Sequence, residues 1–168
     1  MRIAQCLCSL LVDGPSTWTA EDWAWGIPLI MLTVLIHVLG FGLTRPIVLR
    51  ASRQMVQHSH PTMMFVAFVG LMTMLATFLH AIEACIWAGA YRFLDALPDK
   101  RSAMLYSLNA MTSYGHTNIR LDEHWQLMGA MEALNGWLLF GLSTAFLYAV
   151  VAKAFAALEE REHYGFKG

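Results

Sequence analysis

The residues of this 168-residue chain that could do chemistry are few, and they stand in or beside long apolar runs. Tyr106 to Asn118 reads YSLNAMTSYGHTN, a semi-polar stretch with hydroxyls, amides and one glycine between two apolar ones. Irregular backbone at membrane depth must be buried in protein or line water. A turn at Thr112, Ser113, Tyr114 and Gly115 there can offer backbone carbonyls to a water-filled path, where they would replace the hydration shell of a cation. His80 and Glu83 lie three apart on one helix face, with Trp87 and Tyr91 further along it. The expectation is a His80 to Glu83 hydrogen bond that ties this helix to its neighbour; a metal would need ligands beyond this pair. His37 sits in the middle of an uncharged run, either as a ligand or proton carrier or as a neutral imidazole bonded to an adjacent helix. His58 and His60 are a metal-binding pair or part of a solvated loop. Glu132, Asn135, Gly136, Leu139 and Ser143 share one helix face.

The elements that must position these residues emerge from the apolar runs. The chain is 57% hydrophobic and 14% charged, with a mean hydropathy of +0.49. Soluble domains carry about 25% charge, so the class is an all-α membrane protein forming one domain. A net charge of -1 leaves no basic stripe for a nucleic acid, and membrane lipid is the surrounding partner. Cys6, Cys8 and Cys85 are an odd set without a CxxC pair, which supports neither zinc nor a disulfide framework. Residues 1–12 read as a retained segment or a surface-lying amphipathic stretch. Thr19 with Asp22 resembles a capping box, and Trp18, Trp23 and Trp25 read as an interfacial belt.

Three spanning helices are predicted near residues 23–44, 62–91 and 124–152, the first ended by Arg45-Pro46, with a short helix over 102–112 capped by Ser102. Residues 1–61 form an N-terminal segment, first helix and loop; 62–156 hold the remaining helices and the polar turn; 157–168 form a short charged tail. Arg45, Arg50 and Arg53 concentrate in the first loop, which places that loop and the C-terminus on the cytoplasmic side of a cell inner membrane and the N-terminus outside. Gly141, Ala145 and Ala149 make a row of small residues on which another helix can pack.

With these elements in place, residues 62–152 resemble the bacterial potassium channel family of the two-helix-plus-pore-loop type, with an extra N-terminal helix. The resemblance is carried by Leu79-His80-Ala81-Ile82-Glu83 with Trp87, by Trp125-Gln126-Leu127-Met128-Gly129 and Met131-Glu132-Ala133-Leu134-Asn135-Gly136, and by Gly141-Leu142-Ser143-Thr144-Ala145. A three-helix bacterial subgroup often reads WRLLG, LEAxNG and GxSTA at the last three. The resemblance implies a homotetramer with a re-entrant pore helix and filter, no enzymatic activity, no cofactor, and potassium or sodium as the permeant ion. It places the filter at Thr112, Ser113, Tyr114, Gly115, His116, Thr117 and Asn118. Glu132 would be buried behind that loop, bonded to pore-helix or filter groups, or else be an inward-facing charge in the pathway. Asn135, Leu139 and Ser143 would line the cavity.

Two filter registers are open. Without gaps, the family's T-V-G-Y-G and the D after it fall on Ser113 to Thr117 and Asn118, which puts β-branched Thr117 where a glycine would adopt positive φ. With a two-residue gap, Tyr114-Gly115 meets the family's Y-G and Ser113 stands at its first glycine. Either way the filter diverges, and weak selectivity is the expectation. A channel-derived subunit that no longer conducts is the alternative. A haem subunit would need His37 and His80 as paired axial ligands, and their positions along the runs put His37 in mid-span and His80 near the outer end.

Overall fold

A computed structural model of the chain describes residues 20–57, 60–115 and 118–165. Among them every regular element is helical: α1 Ala20–Gln57, α2 Pro61–Phe93, α3 Lys100–Met111, a 3₁₀ turn Glu123–Trp125, and α4 Gln126–Gly165. Three helices are long and apolar enough to cross a membrane, over Ala20–Ala51, Pro61–Phe93 and Glu123–Ala156. At 1.5 Å per residue each exceeds a hydrocarbon core of ~30 Å. The chain accordingly has the build of a multi-pass membrane protein.

The ends of these helices differ from the sequence expectation in instructive ways. The first helix does not stop at Arg45-Pro46 but runs on to Gln57. Pro46 lacks only one N–H, and spanning helices absorb that loss where the flanking turns keep their own hydrogen bonds. Arg45 and Arg50 therefore ride on a helical extension. Pro61 opens α2 at the helical position where a missing N–H costs nothing. The last helix likewise continues past 152 through the expected charged tail, because Lys153 to Glu162 is rich in alanine, glutamate, lysine and arginine, which favour helix.

The cap of α3 is Asp99, not Ser102. The Asp99 carboxylate accepts from the Ser102 backbone N–H at 2.9 Å and from its hydroxyl at 2.7 Å. Asp99 has the extended φ of an N-cap, so the helix starts two residues earlier than predicted.

By internal packing the chain divides into residues 1–32 with 84–136 and residues 33–83 with 137–168. The first unit has a core in which Trp87, Tyr91, Ala103, Tyr106, Met128 and Met131 pack together, with one face of α3 buried in it. The second holds two smaller clusters, one of Phe41, Ala76 and Leu79, the other including Phe68, Met72 and Val150. In it Phe41 stacks on Phe146 with ring centroids 3.9 Å apart. Met31, Leu35, Leu39 and Leu43 project outward from α1, as suits a surface facing lipid or another chain.

Candidate functional site

The first candidate site lies in the unit built on α3. After Met111 the chain leaves the helix at Thr112, whose hydroxyl bonds the Leu108 carbonyl at 2.7 Å. Ser113 donates its N–H to the Ala110 carbonyl and Tyr114 donates to that of Asn109, both at 3.0 Å. These bonds close the helix C-terminus with Ser113 at φ 53° and Gly115 at φ 93°. Tyr114, between them, has its side chain 85% exposed. Thr112, Ser113, Gly115 and Asn118 are exposed as well. The expectations for His116 and Thr117, like that for His58, fall outside the described residues.

Behind this loop α4 is fully buried at Glu132. Tyr91 donates its phenol to Glu132 Oε2 at 2.6 Å, and Ser107 of α3 approaches Oε1 at 2.5 Å. The Ser107 hydroxyl also lies 2.9 Å from the Ala84 carbonyl. One carboxyl thus joins α2, α3 and α4. Four residues along, α4 has no side chain at Gly136. A Cβ built there would collide with the Met111 carbonyl oxygen and come within 2.7 Å of its Cα. The end of α3 rests on bare α4 backbone, so this glycine is a requirement of close approach.

The second candidate site lies in the other unit. His37 Nδ1 is 2.7 Å from Glu83 Oε1, and His37 Nε2 is 3.0 Å from Ser143 Oγ. His80 Nε2 is also 3.0 Å from Ser143 Oγ, while its Nδ1 lies 3.2 Å from Glu83 Oε2. His37 and Glu83 are fully buried, and the His80 side chain is 30% exposed. Four groups from α1, α2 and α4 form a closed ring of contacts.

The ring changes several expectations. His80 and Glu83 do meet, with His80 Nδ1 3.2 Å from Glu83 Oε2, and that oxygen makes no other close polar contact among the described residues. The tie from Glu83 to a neighbouring helix runs through His37 instead. His37 and His80 are not at different depths, since their ring centroids are 5.1 Å apart. Their Nε2 atoms converge on one serine hydroxyl, which leaves no gap for a porphyrin between them.

Asn135, Leu139 and Ser143, expected to line a cavity, are all buried within the chain itself. Ser143 is engaged by two histidines, and the outward positions of α4 include Trp137, Leu138, Phe140, Gly141 and Ala145. Sequence reasoning did not find the His37 to Glu83 link, the Tyr91 and Ser107 partners of Glu132, or the seat of Met111 on Gly136. The one available signal was periodic: Thr33, His37 and Thr44 are polar positions on a single stripe of an otherwise apolar helix, and all three are buried. No protein-family model, curated protein or solved structure matches the chain.

Proposed function

We propose that this chain is one subunit of a homotetrameric, potassium-channel-like cation pathway in a cell inner membrane. Its N-terminus is outside and its C-terminus cytoplasmic. In this reading α2, α3, the loop from Thr112 to Asn118 and α4 form the pore domain, with α3 as the re-entrant pore helix. The observation that carries the reading is the backbone after α3. Positive φ at Ser113 and Gly115, with none at Tyr114, alternates the handedness of successive residues just past the end of α3 and leaves all three exposed there. A pore loop would offer its carbonyls to an axis from such an exposed turn.

The same alternation favours the gapped register, in which Ser113-Tyr114-Gly115 stands at the family's G-Y-G and His116 at its aspartate. Other features agree with assembly. Tyr114 and the loop around it are exposed in a single copy, and the small row Gly141, Ala145 and Ala149 lies open on α4. Glu132 acts as filter support by fixing α3 through Ser107.

Planar-bilayer recording of purified protein under potassium and then sodium gradients tests the proposal. Cation current in either gradient supports it, and folded protein that passes none refutes it. If current appears only after residues 113–117 are replaced by the family sequence, the chain is the non-conducting, channel-derived subunit instead.

A further inference from the structure

The ring of His37, Glu83, His80 and Ser143 takes no part in the proposed filter, and the pathway makes no use of it. Its proton count is informative. Four contacts close the ring, but an ionised Glu83, two neutral imidazoles and one serine hydroxyl bring only three protons. Each neutral imidazole carries one N–H and one lone pair. If Ser143 donates to one Nε2, that histidine turns an Nδ1–H toward Glu83. The other histidine then spends its proton on Ser143 and turns a bare Nδ1 toward the carboxylate.

With that proton count one Nδ1 faces a carboxylate oxygen lone pair to lone pair, a contact that either one further proton or a bound metal ion relieves. The longest contact of the ring is the one between His80 Nδ1 and Glu83 Oε2, at 3.2 Å, and that buried oxygen has no hydrogen bond of good geometry among the described residues. A buried carboxylate oxygen without a donor is costly.

The geometry points to a divalent transition-metal site of the zinc type at His37, His80 and Glu83. One ligand atom from each of these residues falls within 4.8 Å of the others. Ligands at 2.0–2.2 Å from a tetrahedral metal stand roughly 3.4 Å apart. The observed contacts of 2.7 Å and 3.2 Å run to the two Glu83 oxygens, and the shorter must open by about 0.7 Å to reach that spacing.

The outer shell is already built. With both imidazoles in the Nε2–H form, each donates to the Ser143 hydroxyl oxygen, which fixes the tautomer and aims both Nδ1 lone pairs at the site. Two imidazoles with one carboxylate suit zinc, cobalt or nickel and not magnesium or calcium, which take all-oxygen shells. A bound ion would clasp α1 to α2, with Ser143 of α4 behind it.

The test uses the full chain in detergent, stripped with EDTA and titrated with Co²⁺, then challenged with Zn²⁺ or Mg²⁺ as competitor. The expected result is one Co²⁺ per chain with the visible absorption of a tetrahedral site, displaced by Zn²⁺ and not by Mg²⁺. Glu83→Gln and His80→Gln should each weaken binding by at least about 10-fold. His124→Ala, which removes an exposed histidine paired with Glu21, should leave binding unchanged. Because either ring variant could fail to fold, unmodified protein is also melted with and without Zn²⁺, which should raise its Tm where Mg²⁺ does not. Absence of both the Co²⁺ absorption and the Zn²⁺ effect overturns the site. So does undiminished binding in folded Glu83→Gln, or loss of binding in a His58→Ala/His60→Ala double variant. None of these outcomes depends on whether the protein conducts.

Discussion

Glu132 shows how far a single buried group can be read from its donors. Ser107 has one proton and two acceptors in reach, the Ala84 carbonyl and the Glu132 carboxyl. Among the described residues no cation lies within ion-pair distance of Glu132. Both contacts are satisfied if Ser107 donates to Ala84 and receives a proton from a neutral Glu132, while Tyr91 donates to the other oxygen. Glutamine reproduces that pattern, its amide donating to Ser107 and its carbonyl accepting from Tyr91. Glu132→Gln should therefore change stability by under about 1 kcal/mol, whereas Glu132→Ala should cost about 3 kcal/mol by stranding two buried hydroxyls and opening a cavity. Thermal melting of the detergent-solubilised protein measures both, and a Gln variant as weak as the Ala variant would mean that the carboxylate charge itself is needed. The sequence marked Glu132 as a polar interruption in an apolar run and placed it behind the loop. It could not name Tyr91, because that contact depends on how α2 and α4 turn toward each other around α3, which no local pattern encodes.

At the level of elements, α3 is held at its two ends by different physics. At its start the Ser102 backbone N–H, and next the Ser102 hydroxyl, hold the Asp99 carboxyl below its ordinary range. A depressed carboxylate stabilises the fold above the unfolded pKa of about 3.9 and loses that contribution as pH falls through the folded value. The cap should thus be constant from neutral pH down to about pH 5 and weaken below about pH 4. Hydrogen exchange of the Ser102 and Ala103 amides, corrected for intrinsic rate, should rise there in the native chain and show no such acid step in Asp99→Asn. At its end α3 sits on Gly136. Gly136→Ala drives a methyl into Met111 backbone and should cost about 1–3 kcal/mol, read as a drop in Tm. Gly89→Ala, with nothing within 4 Å of the added carbon, is the matched control. The spanning helices were legible as uncharged runs because lipid and core both demand apolar side chains. Their ends were not, since Pro46 reads as a terminator only where its neighbours cannot sustain the helix. The cap was misplaced because Asp99 and Ser102 are both good capping residues three apart, and only the backbone at Asp99 decides between them.

For the whole molecule, placement in the membrane and the character of the pathway are separate questions. Under the proposed topology, cysteines introduced at positions 50 and 99 should react with a membrane-impermeant reagent from opposite faces; labelling from the same face would overturn that topology. Pathway character depends on the residues at and beyond Gly115. The row offered by Ser113, Tyr114 and Gly115 is short, so a tetramer would present few carbonyl rings and discriminate weakly. In the gapped register His116 stands at the family's aspartate, so a tetramer of the proposed kind would carry at its mouth four imidazoles, of a type that titrates near pH 6.5 when unperturbed, in place of four carboxylates. Protonated rings at the mouth would repel an approaching cation, so conductance should be lower at pH 5.5 than at pH 8. The potassium-to-sodium permeability ratio, read from reversal potentials, should stay below about 10 at both, which is a discrimination of under ~1.4 kcal/mol. His116→Asp should restore conductance at pH 5.5 and flatten its pH dependence. Strong potassium selectivity with pH-independent conductance in the native chain would refute this account of the mouth, and an unaltered pH dependence in His116→Asp would assign the titration to another residue.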